Sequence, residues 1–237
     1  GANAVAEHIS GSVSEFSSIM NKKAQELGCK NSNFINPNGL YNENHYTTAF
    51  DLATIARSFF SNDLLCKMSS TVTYEIPQTM KQPDDIIIHS KNKLLPGREC
   101  SYDYIVGSKT GYTSEARQTL VSCARKDGMT LVCVIMKEES PEQFNDTITL
   151  FDYGFQNFQK INIAENEKDF SVSTTDFFES DSTVFGNSSS ILKIDSDAFV
   201  VLPTNVTFDD TLSTLEYEDE NTQKVASIKY TYQDVPV

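Results

Sequence analysis

Apolar and polar positions along this chain fall into two regimes. Through about residue 158 the apolar residues recur mainly at helical spacing, and beyond it they recur in short alternating runs. Residues 12 to 28 predict a helix with both ends marked. Ser12 with Glu15 has the spacing of a capping box, and Val13, Phe16, Met20, Ala24 and Leu27 share one face. Gly28 supplies the left-handed stop. Asn36-Pro37-Asn38-Gly39 reads as a turn. A second helix is predicted from Thr48, with Asp51 as its cap partner and Leu52, Ile55, Ala56 and Phe59 buried.

Val72 to Ile88 is extended but interrupted by Pro77 and Pro83, as in short edge strands. Thr119–Ala124 and Thr130–Met136 are β-branched, apolar runs around Asp127-Gly128, a hairpin signal. Such a two-residue turn sets Ser122 opposite Cys133 and Cys123 opposite Val132. Cys123 and Cys133 then point to opposite faces and cannot be bridged, so free thiols are expected. Ser140-Pro141 predicts a helix start, with Ser140 as N-cap and Phe144, Ile148, Phe151 and Phe155 at helical spacing.

Beyond Phe158, the runs Ile161-Asn162-Ile163, Phe170-Ser171-Val172-Ser173, Phe199-Val200-Val201-Leu202 and Ile228-Lys229-Tyr230-Thr231-Tyr232 predict short strands. The expected fold class is α+β: helices packed on an antiparallel sheet over residues 1–159, then a small all-β domain over 160–237.

Charge supports the division. The net charge is −14 over 237 residues. From Lys160 onward there are 5 basic and 15 acidic residues, a net of −10, against 14 and 18 before it, a net of −4. So acidic a chain is not expected to bind nucleic acid, which requires Lys and Arg to displace counterions. No apolar run approaches the roughly 20 residues that span a bilayer. No basic, apolar leader opens the chain, so any export signal is expected to have been removed. Five cysteines without a C-x-x-C pair, and His8, His45 and His89 scattered singly, predict no metal site and no cofactor.

The sharpest candidate for chemistry is Gly107-Ser108-Lys109-Thr110-Gly111-Tyr112-Thr113, just before the hairpin. Lys109 offers a fixed positive charge, Thr110 a hydroxyl donor for an anion, and Gly111 room for a ligand backbone. A Lys-Thr-Gly is the third motif of penicillin-recognising serine enzymes, beside a Ser-x-x-Lys and a Ser-x-Asn. Arg117 nearby reads as a strand-end surface arginine.

Several further segments carry a resemblance. Lys109 through Ala116 with Leu120-Val121-Ser122 and Asp127-Gly128-Met129 is similar to the third-motif region of low-molecular-mass D-alanyl-D-alanine carboxypeptidases, which are penicillin-binding proteins. So are Met20 through Ala24 with Glu26-Leu27-Gly28, Asn36 through Leu40, His45 through Ala49, and Asp51-Leu52-Ala53. Phe151-Asp152-Tyr153-Gly154-Phe155 resembles the family's last catalytic-domain helix. Asp197 through Pro203 and Ile228 through Tyr232 resemble its C-terminal domain.

The resemblance implies a β-lactamase/transpeptidase-like domain and a serine that attacks the terminal D-Ala-D-Ala bond of peptidoglycan pentapeptides. β-Lactam antibiotics are then covalent inhibitors, and the location is extracytoplasmic, secreted or tethered to the outer face of the membrane. Lys109 is the implied catalytic residue, and Thr110, Gly111 and Tyr112 the implied substrate-binding ones. Relatives place an arginine near Gln143 to assist carboxylate binding, and a neutral Gln weakens that half of the site.

Of the family's other signatures, Ser-x-x-Lys is read at Ser190-Ile191-Leu192-Lys193, inside the β region, as a chance match, and no Ser-x-Asn is read. The resemblance places both motifs upstream of Gly1. The chain is therefore expected to be a C-terminal fragment, inactive alone, with its own cleaved N-terminal fragment as a candidate partner. A serine β-lactamase relative and a non-catalytic cell-wall-binding pseudoenzyme are the alternatives.

Overall fold

The structure, a computed structural model, describes residues 1–168, 170, 194–217 and 226–237. These residues form two compact units, Gly1–Gly154 and Phe155–Val237. The string Ser190 to Lys193 and all but Phe170 of the run Phe170 to Ser173 lie outside the described residues.

The first unit opens with helix α1 (Ala2–Ser10), which the sequence reading did not predict, and α2 (Val13–Glu26). Ser12 caps α2 through its hydroxyl, which accepts the Glu15 N–H at 3.1 Å, and Gly28 takes φ +90°. Helix α3 (Ala49–Phe60) is capped by Thr48, whose hydroxyl accepts the Asp51 N–H. Its buried face turns slightly from the predicted one: Ala56 and Phe60 are buried, and Leu52, Ile55 and Phe59 only half-buried. Helix α4 (Asp63–Ser70), capped by Asn62, was not predicted either. Strands β1 (Thr73–Ile76) and β2 (Ile86–His89) pair antiparallel, with Pro77 and Pro83 in the connection, where no ladder hydrogen bond is lost.

The central element is a three-stranded antiparallel sheet in the order β3-β4-β5: β3 (Ile105–Thr113), β4 (Arg117–Lys126) and β5 (Met129–Glu138). The β4–β5 turn is Asp127-Gly128, with φ +49° and +78°, the left-handed pair of a type I′ two-residue hairpin. The register follows from it, with Ser122 opposite Cys133 and Cys123 opposite Val132. Cys123 packs with Ala56 and Phe60 of α3, while Cys133 meets Thr147 on the opposite face, and all five cysteines are free.

Helix α5 (Glu142–Asn157) covers that second face. It starts one residue later than expected from Ser140 as cap; the Pro141 carbonyl accepts the Phe144 N–H at 3.0 Å. Phe144 and Phe151 are buried as their spacing predicts, but so are the polar Gln143 and Thr147. Tyr102 stacks on Phe151 and donates its hydroxyl to Asp152 at 2.9 Å, pinning the loop before β3 to α5.

Close approach of α4 to β3 depends on Gly107. A Cβ there would stand 2.1 Å from Ser69 Oγ and 3.2 Å from Phe60 Cε1. Gly107→Ala is expected to cost about 1–3 kcal/mol of stability. Adding Ser69→Ala should recover most of that loss, because the worst contact is with the hydroxyl. A denaturant-unfolding double-mutant cycle measures it.

In the second unit, β6 (Phe158–Asn162) leads into the short α6 (Ile163–Asn166) and pairs with β7 (Phe199–Pro203). After a 3₁₀ turn at Phe208–Asp210 come β8 (Leu212–Tyr217), β9 (Ala226–Tyr232) and β10 (Val235–Pro236), in the sheet order β10-β9-β8. Val200, Leu202, Val206, Tyr230 and Ile163 form its core.

Candidate active site

Lys109, Thr110, Gly111 and Tyr112 lie in the second half of β3, an edge strand hydrogen-bonded only to β4 among the described residues. Strand alternation separates their side chains. Lys109 stands opposite Val121, and Gly111 opposite Thr119, on the face covered by α3 and α4. Thr110 stands opposite Leu120, and Tyr112 opposite Gln118, on the α5 face. What the four share is the outer backbone edge of β3.

Lys109 is exposed and donates its ammonium to the Thr110 carbonyl, which bends it along the strand. A Cβ on Gly111 would lie 2.5 Å from Thr119 Oγ1, so a side chain there would displace the next strand's hydroxyl. Tyr112 is 60% exposed. The Thr113 hydroxyl accepts the Ala116 N–H at 3.0 Å and closes the turn into β4.

The second cation near the motif is already engaged. Arg117 holds Glu139 with both carboxylate oxygens, at 2.5 and 2.6 Å, which also raises the guanidinium above its ordinary pKa. That fits the reading of Arg117 as a strand-end surface residue. Lys109 is therefore the cation of this strand with its charge uncommitted to a carboxylate.

Two glutamines escaped the sequence reading as a pair. Gln143 Nε2 donates to Gln118 Oε1 at 3.4 Å, and Gln118 is the cross-strand partner of Tyr112. Gln143 is 3% exposed, and its Oε1 has no hydrogen-bond partner. Buried polar residues break the apolar pattern on which helix faces are read; the resemblance singles out Gln143 but not its pairing with Gln118.

The serine motifs need a correction. Ser90-Lys91-Asn92-Lys93 also has the Ser-x-x-Lys spacing, and its first three residues have the Ser-x-Asn spacing. The structure places them in the loop after β2, without helix to set serine and lysine on one face. Ser90 Oγ accepts the Asn92 N–H at 3.2 Å, and Asn92 Oδ1 accepts the Leu94 N–H at 2.9 Å. Lys93 is ion-paired with Glu99 at 2.6 Å, which holds its pKa above the ordinary lysine value. With its serine and asparagine closing the loop and its lysine paired to Glu99, this string is a loop-closing turn rather than a nucleophile.

Asp51 is structural. Its carboxylate, 1% exposed, accepts from Asn31 N–H at 2.7 Å, Ser32 Oγ at 2.7 Å and Lys30 N–H at 3.3 Å. These bonds, led by that of Ser32, hold its pKa below the ordinary carboxylate value. His45 is also structural: its Nδ1 accepts the Ile35 N–H at 3.2 Å, and burial lowers its pKa. A cavity of about 160 Å³ in the second unit is lined by Glu167, Lys168, Phe208, Asp209 and Tyr230, and includes none of the motif residues. Among the described residues no group of three metal-ligating side chains occurs, and no helix is long and apolar enough to cross a membrane.

Comparison with known proteins agrees with the fold class. A family model described as D-alanyl-D-alanine carboxypeptidase matches residues 1–140. The chain is 36% identical over 157 residues to the D-alanyl-D-alanine carboxypeptidase DacF of Bacillus subtilis, covering 66% of this chain and 39% of that one. It is 33% identical over 187 residues to DacA of Haemophilus influenzae, covering 77% and 45%. It thus spans less than half the length of these curated relatives. The crystal structure of penicillin-binding protein 5 from Haemophilus influenzae superposes with a TM-score of 0.69 at 27% identity, over 99% of this chain and 66% of that one. A D-alanyl-D-alanine carboxypeptidase from Mycobacterium tuberculosis gives 0.57 at 29% identity, over 65% and 58%. With a family model matched across more than half its length and the Lys-Thr-Gly strand in place, the chain belongs to the D-alanyl-D-alanine carboxypeptidase family.

Proposed function

We propose that the whole protein is a serine-type D-alanyl-D-alanine carboxypeptidase of the cell exterior, acting on peptidoglycan stem peptides through an acyl-enzyme. Residues 1–159 contribute the motif-bearing part of the peptidase domain, and residues 160–237 an appended β domain. The observation that carries this is the Lys109-Thr110-Gly111 strand with its outer backbone edge unpaired among the described residues. An extended peptide adds to such an edge as a further strand, its backbone bonding to β3. Lys109 then supplies the positive charge at the reacting end, Thr110 donates to the terminal carboxylate, and Gly111 leaves room for the incoming backbone. Tyr112 flanks the bound chain.

The nucleophile comes from outside these residues. The string at Ser90 is tied into a loop with its lysine paired to Glu99, and the matched relatives are more than twice as long as the matched segment. Serine attack on the D-Ala-D-Ala carbonyl forms the ester, D-alanine leaves, and water releases the shortened peptide. β-Lactams enter the same site and remain on the serine.

The test is intact-protein mass spectrometry of the protein purified from its native source, with and without benzylpenicillin. Gain of one penicillin, on this polypeptide or on one that co-purifies with it, is the expected result. No adduct under conditions that label a known carboxypeptidase overturns the proposal in favour of a non-catalytic cell-wall protein. Rapid release of hydrolysed penicillin favours a β-lactamase.

A further inference from the structure

Two thiols lie near each other where α4 packs on the sheet. Cys123 of β4 is fully buried beside Ala56 and Phe60, and Cys66 of α4 packs against the same cluster. The register explains why they lie close. Gly107 and Cys123 are cross-strand partners, and Ser69 sits directly over Gly107. Cys66 precedes Ser69 by three residues, on the same face of α4, and its thiol is close enough to Cys123 to act on it electrostatically. The Cys66 thiol donates to the Phe60 carbonyl at 3.2 Å and is partly accessible to solvent.

We propose that Cys66 and Cys123 are a dithiol modification site, which a low-molecular-weight disulfide converts into a bridge tying α4 to β4. Cys66, the accessible partner, attacks one sulfur of the disulfide as a thiolate. A Cys66 mixed disulfide forms and one small thiolate leaves. Cys123 then loses its proton to solvent and attacks Cys66 Sγ, and the second small thiolate leaves. Two protein thiols are oxidised and one disulfide is reduced to two thiols, so the exchange balances. Burial, with the neighbouring Cys66 thiol adding to it, pushes the Cys123 thiol up to about 11. The second step therefore keeps accelerating with pH beyond roughly 8.5, where a reaction limited by an ordinary thiol has levelled.

The experiment treats the whole protein, folded and purified from its native source, with oxidised glutathione at several pH values, quenches with acid, and alkylates under denaturing conditions. Of the five cysteines in this sequence, three should remain alkylatable, with one linked peptide pair containing Cys66 and Cys123. Resolution of the mixed disulfide should speed up about tenfold per pH unit from pH 7, continuing past pH 9. Cys66→Ser should leave the remaining four thiols alkylatable, whereas Cys100→Ser should leave the bridge intact. Glutathione that stays on Cys66 at pH 9.5, or a bridge joining any other pair, overturns the proposal. Because the unsubstituted protein gives the deciding result, a misfolded variant does not blunt the test.

Discussion

Replacing Lys109 by alanine in the whole enzyme should lower the second-order rate of acylation by benzylpenicillin by roughly 10²–10³-fold, the range typical of losing one preorganised charged or donor group at a reacting centre. The argument rests on what else could serve. Arg117 is held by both oxygens of Glu139, and Gln143, buried and bonded to Gln118, is neutral. No second cation on β3 is poised to replace Lys109. Lys109→Arg should restore little, because a planar fork cannot repeat a point charge that also bonds the Thr110 carbonyl. Stability should hardly change in either variant, since an exposed edge-strand side chain typically contributes within about 0.5 kcal/mol. A large loss of acylation with an unchanged melting temperature thus identifies a functional charge. Acylation at the wild-type rate would remove Lys109 from the site.

The two-residue turn at Asp127-Gly128 shows why part of this fold is legible from sequence. A φ-positive pair closes such a hairpin, and closing it sets every cross-strand partner, including the divergence of Cys123 and Cys133. Capping is equally local: Ser12 and Thr48 bond the N–H three residues on, as their spacing predicts. Helices α1 and α4 escape for the opposite reason. Gly1 offers α1 no side-chain cap, and α4 has no buried residue to mark a face.

Tertiary geometry also decides what strings mean. Ser90 to Lys93 matches two motif spacings yet is a turn, closed by the Ser90 and Asn92 side chains with the lysine paired to Glu99. The Lys-Thr-Gly triplet is equally short, but its place on an edge strand gives it meaning. The polar residues inside the core, Gln143, Thr147 and Ser122, are invisible to a hydrophobic pattern, since each is buried by its neighbours' periodicity rather than its own chemistry.

Asp51 is the strongest of these buried polar positions, and its removal should have the largest effect on stability. Asp51→Ala deprives the Lys30 and Asn31 amides and the Ser32 hydroxyl of one shared acceptor. The chain between α2 and α3 loses its anchor to the start of α3, and the melting temperature should fall by about 5 °C or more. Asp51→Asn separates charge from shape. The folded-state pKa of Asp51 is lowered, so ionisation contributes stability in full above the unfolded-state value of about 4. That contribution is lost as pH falls through the lower folded-state pKa. The stability gap between wild type and Asp51→Asn should therefore stay constant from pH 7 to about 5 and shrink below about 4. Chemical denaturation at a series of pH values measures it. A gap that persists undiminished at about pH 2 would mean that Asp51 acts through hydrogen-bond geometry alone, with its charge contributing nothing to the anchor.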